Sequence, residues 1–440
     1  MSQSRRDDGK TTATITTIEL RLDVAPANDI APAAPTRRPG PLGLPRAYWL
    51  LWGGMLLNRL GGTVFFLLGV YLTHERGLRP ELAGLIISLN AAGGLFAGPI
   101  GGALADRFGR RATLLVGTAS AGALMLALGL SRSTAAIVAI APCLGFFTDI
   151  CRPPLQAAVA DLVPPADRAR AYGLLFWAFN LGFAAAAPLG GLLAEHHFTL
   201  LFVIDAATTL AYGAVVLVGV PETRPTAAGG HAGGAIWVRF AAPFRDRGFV
   251  QFTAIQFVML LAFAQVLLAM PLDMRAHGLS TAAIGRLFGF NGILIVIVQP
   301  IALRAIHGFG QVRWLAAGAV LLGVGLGAMA LAGGALVFVV ATTIWTLGEI
   351  CFSTAASTAI AELAPLNQRG AYQGTYQLAW GTASTCAPVI GSAVLAGAGS
   401  VALWLGCLGC CLAAAALHVR FTAPLVRGRR APHVLPQTST

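Results

Sequence analysis

Apolar residues run along this chain in long blocks, separated by short polar turns. Ala112–Leu130 and Leu315–Val340 carry no charged side chain, and a helix crossing a bilayer needs about 20 apolar residues at 1.5 Å rise each. The pattern predicts twelve spans, near 49–73, 81–105, 112–130, 134–160, 171–194, 200–220, 249–273, 281–303, 314–333, 335–361, 371–397 and 400–419. Between spans 6 and 7, residues 221–248 are rich in Pro, Gly and Arg and read as a polar linker.

Composition agrees with an all-α membrane protein. Of 440 residues, 56% are hydrophobic and 11% charged, and the mean hydropathy is +0.72; soluble domains carry about 25% charged residues. Residues 1–46 lack the apolar stretch of a cleaved signal and read as a disordered cytoplasmic tail, with a second tail at 420–440. All seven cysteines fall in apolar segments, which argues against a disulfide framework or a metal cluster.

The net charge of +12 raises the question of nucleic acid, and its placement answers it. Of 30 Lys plus Arg, only Arg76, Arg79, Arg132 and Arg275 face the side opposite the termini, and Arg59, Arg152 and Arg286 lie within spans. The other 23 share the side of the termini. Positive loops stay inside, so the charge is an orientation signal and no nucleic-acid surface is expected. The expectation is a multi-pass protein of the cytoplasmic (inner) membrane with both termini cytoplasmic.

The chain also repeats itself. Shifted by 201 residues, Gly77–Gly190 aligns on the second half without a gap: Asn90 falls on Asn291, Pro99 on Pro300, Phe108 on Phe309, Pro164 on Pro365 and Arg168 on Arg369. Each half, 47–220 and 249–419, holds six spans, an even number, so both enter the membrane in the same orientation. Parallel six-span repeats place a substrate site between the halves, near mid-membrane.

After span 2 the chain reads Gly102-Ala103-Leu104-Ala105-Asp106-Arg107-Phe108-Gly109-Arg110-Arg111. Gly109 permits a tight turn and Gly102 a close helix approach. This stretch resembles the signature G-x-x-x-D-R-x-G-R-R of the major facilitator superfamily. The resemblance covers residues 49–419 and implies the major facilitator fold, usually a monomer. It also implies a conformational latch, with Asp106 directed to the start of span 11 near Arg369–Gly374 and Arg110 to Asp161.

Residues Arg152 through Gly182 look like spans 4 and 5 of bacterial multidrug-efflux members, the drug:proton antiporters. In span 5, Asn180, Gly182, Gly190 and Gly191 match their antiporter motif, whereas Ala186 takes a Gly position and Pro188 comes one residue late.

Charged groups inside spans are costly and functional by default. Arg59, Asp149, Arg152 and Glu349 are such groups; by the resemblance, spans 1, 4, 7 and 10 line the cavity. Asp149 and Arg152 share a helix face, and Arg59 is expected to reach Asp149. Glu349 lies one residue from the repeat image of Asp149, with no obvious partner, and is the first candidate for proton coupling. Gln256 of span 7 is a further cavity candidate. Asp205 is expected in a solvated or capping role. Phe176, Trp177 and Phe179, with Trp345 and Phe352, would suit bulky amphipathic compounds.

The sequence carries no HExxH and no GxxxxGK[ST] loop, so neither an enzyme nor ATP drive is expected, and no cofactor. The expected function is proton-coupled efflux of hydrophobic drugs or natural products, conferring antibiotic resistance. The alternative is a proton-coupled importer or facilitator of a small metabolite. Either way the partners are a small-molecule substrate, protons and the lipid bilayer.

Overall fold

In a computed structural model, residues 41–223, 242–309, 311–365 and 368–430 are described. Among them, twelve helices are long and apolar enough to cross a membrane. They are α1 Arg46–Glu75, α2 Pro80–Phe108, α3 Arg110–Leu130, α4 Thr134–Leu162, α5 Arg168–Ala194 and α6 Phe198–Gly219. The second half holds α7 Arg247–Leu267, α8 Thr281–Phe309, α9 Gln311–Leu331, α10 Ala335–Leu363, α11 Arg369–Gly397 and α12 Gly399–Val426. The tail assigned to 420–440 differs: helix continues to Arg430, and residues 431–440 lie outside the described residues. So do residues 1–40 and 224–241, most of the expected N-terminal tail and linker.

Two helices are broken at repeat-related depths. α1 runs to Gly61 and resumes at Val64. α7 passes through a 3-10 turn at Ala264–Leu267 and resumes at Ala269–Ala276. α4 is broken as well, between Asp149 and Arg152. Its cause is Pro153-Pro154, which remove two amide donors and are tolerated only where a helix starts. At the repeat images of these prolines α10 has Thr354 and Ala355, and it runs unbroken from Ala335 to Leu363.

The halves obey the 201-residue repeat in space. A β-carbon added to Gly285 of α8 would strike the Ala187 carbonyl and Gly191 of α5. One added to Gly84 of α2 would strike the Pro388 carbonyl and Ser392 of α11. Each residue of the second set is the image of one in the first, so two backbone-to-backbone seams are related by the pseudo-twofold.

Both seams lie on the face opposite the termini. There one apolar core is shared by the halves, from Val64, Leu72 and Phe202 to Met270, Phe288 and Trp404. Phe66 of α1 packs on Phe183 of α5 at 4.5 Å between ring centres and on Phe288 of α8 at 5.5 Å. On the termini face each half instead keeps its own cluster, around Tyr48, Val159 and Val216 in one and Phe249, Ala356 and Tyr372 in the other. Gly98 and Gly102 of α2 and Gly173 of α5 have nothing within 4 Å of a built β-carbon. Among the described residues, the close approach expected at Gly102 is therefore absent in this arrangement. Among the described residues, the halves meet on the face opposite the termini and are parted on the other.

Candidate functional site

At the α2–α3 turn, Gly109 adopts φ 106°, backbone that favours glycine. This turn folds Arg110 back onto both acids. Its guanidinium lies 3.2 Å from Asp161 and 3.1 Å from Asp106, and also donates to the Ala105 carbonyl at 3.1 Å. Asp106 thus pairs within its own half and stays 76% exposed, rather than being covered by α11. The side chain of Arg369 lies outside the described residues. Arg107 stacks on Phe108 at 5.2 Å, and Arg111 donates to the Leu217 carbonyl.

Glu222 completes the turn, and the motif reading missed it. Its carboxylate accepts the Arg110 and Arg111 amides at 2.8 and 3.2 Å, a favourable position for an anion at the start of α3. The clue available was Pro221-Glu222-Thr223 directly after span 6, on the same side as the turn.

The α5 motif splits between two neighbours. Gly182 and Gly190 face α1: a β-carbon on Gly190 would lie 2.7 Å from Thr63 Cβ, and one on Gly182 3.2 Å from the Arg59 carbonyl carbon. Ala184, Pro188 and Gly191 face α8, against Gly292, Gly289 and Gly285 in that order. Small residues at this spacing let helices approach closely. The late proline is therefore seated on a glycine of the other half. Asn180 donates to the Phe176 carbonyl of its own helix at 2.8 Å.

Asp149 and Arg152 form an ion pair at 2.9 Å across the α4 break, with Arg152 61% exposed. Asp149 packs against Gly94 of α2. Arg59 makes no direct ion pair with Asp149, although Asp149 and Asp205 both lie within its electrostatic reach; it stacks over Phe179 at 4.7 Å, and its buried Nε has no hydrogen-bond partner among the described residues. The close packing of its backbone on Gly182 holds it towards α5.

Glu349 is half-buried and does have a partner. Asn291 of α8, itself buried, donates to Glu349 at 3.2 Å and to Thr346 at 2.9 Å. Since α8 is the image of α2, each half sets one carboxylate against the equivalent helix. The partner differs: Asp149 has an arginine, Glu349 a neutral amide.

Two expectations are corrected. Gln256 is fully buried and joined to His418 of α12 at 3.0 Å, so it faces the outer side of its half and not the space between halves. Of the two roles expected for Asp205, the solvated one is corrected, since it is buried, and the capping one holds. It caps, accepting the Val64 amide where α1 resumes and the Thr209 hydroxyl, while Asn58 donates to Thr209 at 2.7 Å. Among the aromatics, Trp345 and Phe352 are buried against Phe263, whereas Phe176 and Trp177 are exposed.

Across the seam, Glu195, just beyond α5, accepts the Ala282 amide of α8 at 3.1 Å and the Ser280 hydroxyl. These bonds hold its carboxyl below the usual carboxylate range, Ser280 first and Ala282 second.

The sequence profile described as Major Facilitator Superfamily matches residues 51–302 and 252–437. The chain belongs to this superfamily. It is a membrane transporter of that type and not an enzyme. It is 25% identical to an uncharacterized MFS-type transporter, YttB, of Bacillus subtilis (strain 168), over 75% of this chain and 84% of that one. It is 24% identical to the multidrug resistance protein MdtH of Aeromonas salmonicida (strain A449), over 75% and 83%. The fold resembles a peptide transporter POT solved with sulfate, with a TM-score of 0.71 and 20% identity over 90% of this chain and 97% of that one. It also resembles a D-xylose-proton symporter, with a TM-score of 0.68 and 16% identity over 85% and 97%.

Proposed function

We propose that the protein is a proton-coupled exporter of hydrophobic drugs or natural products, working by alternating access as a monomer in the cytoplasmic membrane. The observation that carries this reading is the pair of membrane-embedded carboxylates, Asp149 and Glu349, one in each half and each set against the equivalent helix. The likeness to MdtH proteins named for multidrug resistance supports export. With the termini cytoplasmic, as the arginine distribution indicates, the parted face is the cytoplasmic one, and a substrate would enter from the cytoplasm or inner leaflet. Asp106, Arg110 and Asp161 would then belong to the latch that closes this face.

Glu349 is the principal proton-coupling group and Asp149 the second. A carboxylate with only an amide donor has no counter-ion to keep when a proton arrives, whereas Asp149 already holds Arg152. Transport in inverted and right-side-out vesicles tests direction and drive. Accumulation in inverted vesicles that collapses with the pH gradient is expected; accumulation only in right-side-out vesicles would favour import of a small metabolite. A single cysteine replacing Ala227 in the linker should resist impermeant thiol reagents in intact cells. Labelling there would reverse the orientation.

A further inference from the structure

The seam between α5 and α8 is mostly backbone on backbone, and backbone contact alone gives no means of release. Glu195 is different in kind. It stands one residue past α5 in the first half, and both its acceptor contacts, the Ser280 hydroxyl and the Ala282 amide at 3.1 Å, belong to the amino end of α8 in the second. Ser280 also caps its own helix, receiving the Ala283 amide at 3.2 Å. The free amides at a helix start carry partial positive charge, so a carboxylate is the favoured partner there. The other seam lacks such a group, since the repeat image of Glu195 is Ala396.

We propose that Glu195 is the positioning residue that holds this face shut, by capping the amino end of a helix in the opposite half. The inference rests on the alternating-access reading, because only a transporter whose halves part on this face must break the contact. The geometry makes the contact specific to one state. A hydrogen bond weakens steeply beyond its normal length, so separating the ends of α5 and α8 by a few ångströms removes both bonds together. What remains of the seam, the Gly191–Gly285 and Pro188–Gly289 contacts, carries no charge and responds to no proton.

Protonation supplies the release. The two donors hold the carboxyl below its ordinary range, so the closed state is favoured above that range, and the advantage is lost as the pH on this face falls through the lowered value. His196 beside it and Arg286 on α8 also favour the ionised form. Arg286, across the seam, reinforces the closed state while Glu195 is charged, whereas His196 stays beside Glu195 in either state. The release therefore needs acid at or below the ordinary carboxylate range on this face.

The test uses the full-length protein in lipid nanodiscs, in a cysteine-free background. Spin labels at Thr199 and Gly333, both exposed on this face in different halves, report the distance between halves by pulsed electron resonance. Glu195→Ala should raise the ratio of open to closed molecules roughly two- to fivefold, the range for an exposed charge at a helix start. Glu195→Gln keeps an acceptor oxygen and the side-chain volume, so it should fold, shift the ratio less, and lose the acid response that the wild type shows. An unchanged ratio in Glu195→Ala, or a wild-type acid response in Glu195→Gln, overturns the proposal. A wild type and variants confined to one distance at every pH would instead overturn alternating access, and this inference with it.

Discussion

Gly285→Ala is the sharpest perturbation of the seam between the halves. The added carbon would lie 2.9 Å from Gly191 Cα and closer still to the Ala187 carbonyl oxygen. Carbon atoms rest at about 3.5–4.0 Å, and both obstacles are backbone, so no rotamer relieves the clash. The helices must part by several tenths of an ångström or more, and overpacking of this kind costs about 1–3 kcal/mol. That cost falls only on the state in which α5 and α8 touch. With a factor of ten for each 1.4 kcal/mol, the closed state should lose roughly 5- to 150-fold in population. Spin labels at Thr199 and Gly333 measure this directly, as growth of the longer distance. Gly409→Ala, on α12 with nothing within 4 Å and exposed, is the control and should leave the distribution unmoved. Identical distributions in Gly285→Ala and wild type, or an equal shift in Gly409→Ala, would refute the reasoning.

Asp106→Asn should cut transport several-fold while expression and insertion stay normal, because an ion pair this exposed contributes only about 0–1 kcal/mol to the fold; undiminished vesicle transport would remove the latch. Glu349→Gln should abolish gradient-driven accumulation yet keep counterflow, which needs no net proton movement. If it keeps full gradient-driven transport while Asp149→Asn abolishes it, the two roles are reversed. Asp205→Ala leaves the Val64 amide without its acceptor, at a cost of about 1–3 kcal/mol, and should lower the thermal midpoint, with Asp205→Asn in between. Equal midpoints for all three proteins would show that the cap is not what holds the α1 break.

The spans were legible because lipid demands long apolar segments whose backbone groups are satisfied internally, as in a helix, and the repeat because Asn, Pro and Arg match in one register. The shift of 201 residues reappears as matching contacts at Gly191–Gly285 and Ser392–Gly84. The partners of the buried polar groups were not legible. Which neighbour a helical residue faces depends on crossings between segments far apart in sequence. Gln256 meets His418, 162 residues away, and Glu349 meets Asn291, 58 residues away. Glu195 was passed over because nothing local distinguishes it from any solvated acid beside a turn. Asn291 had a signal, its match to Asn90, but that match served only to establish the repeat.

The broken α4 and the unbroken α10 make the two halves mechanically unequal. A continuous 29-residue rod transmits a tilt from end to end, whereas a rod jointed at Ile150 and Cys151 absorbs it at the joint. When the protein rocks, α10 should swing as one lever while α4 bends, and the bend moves Arg152 relative to Asp149 across the joint.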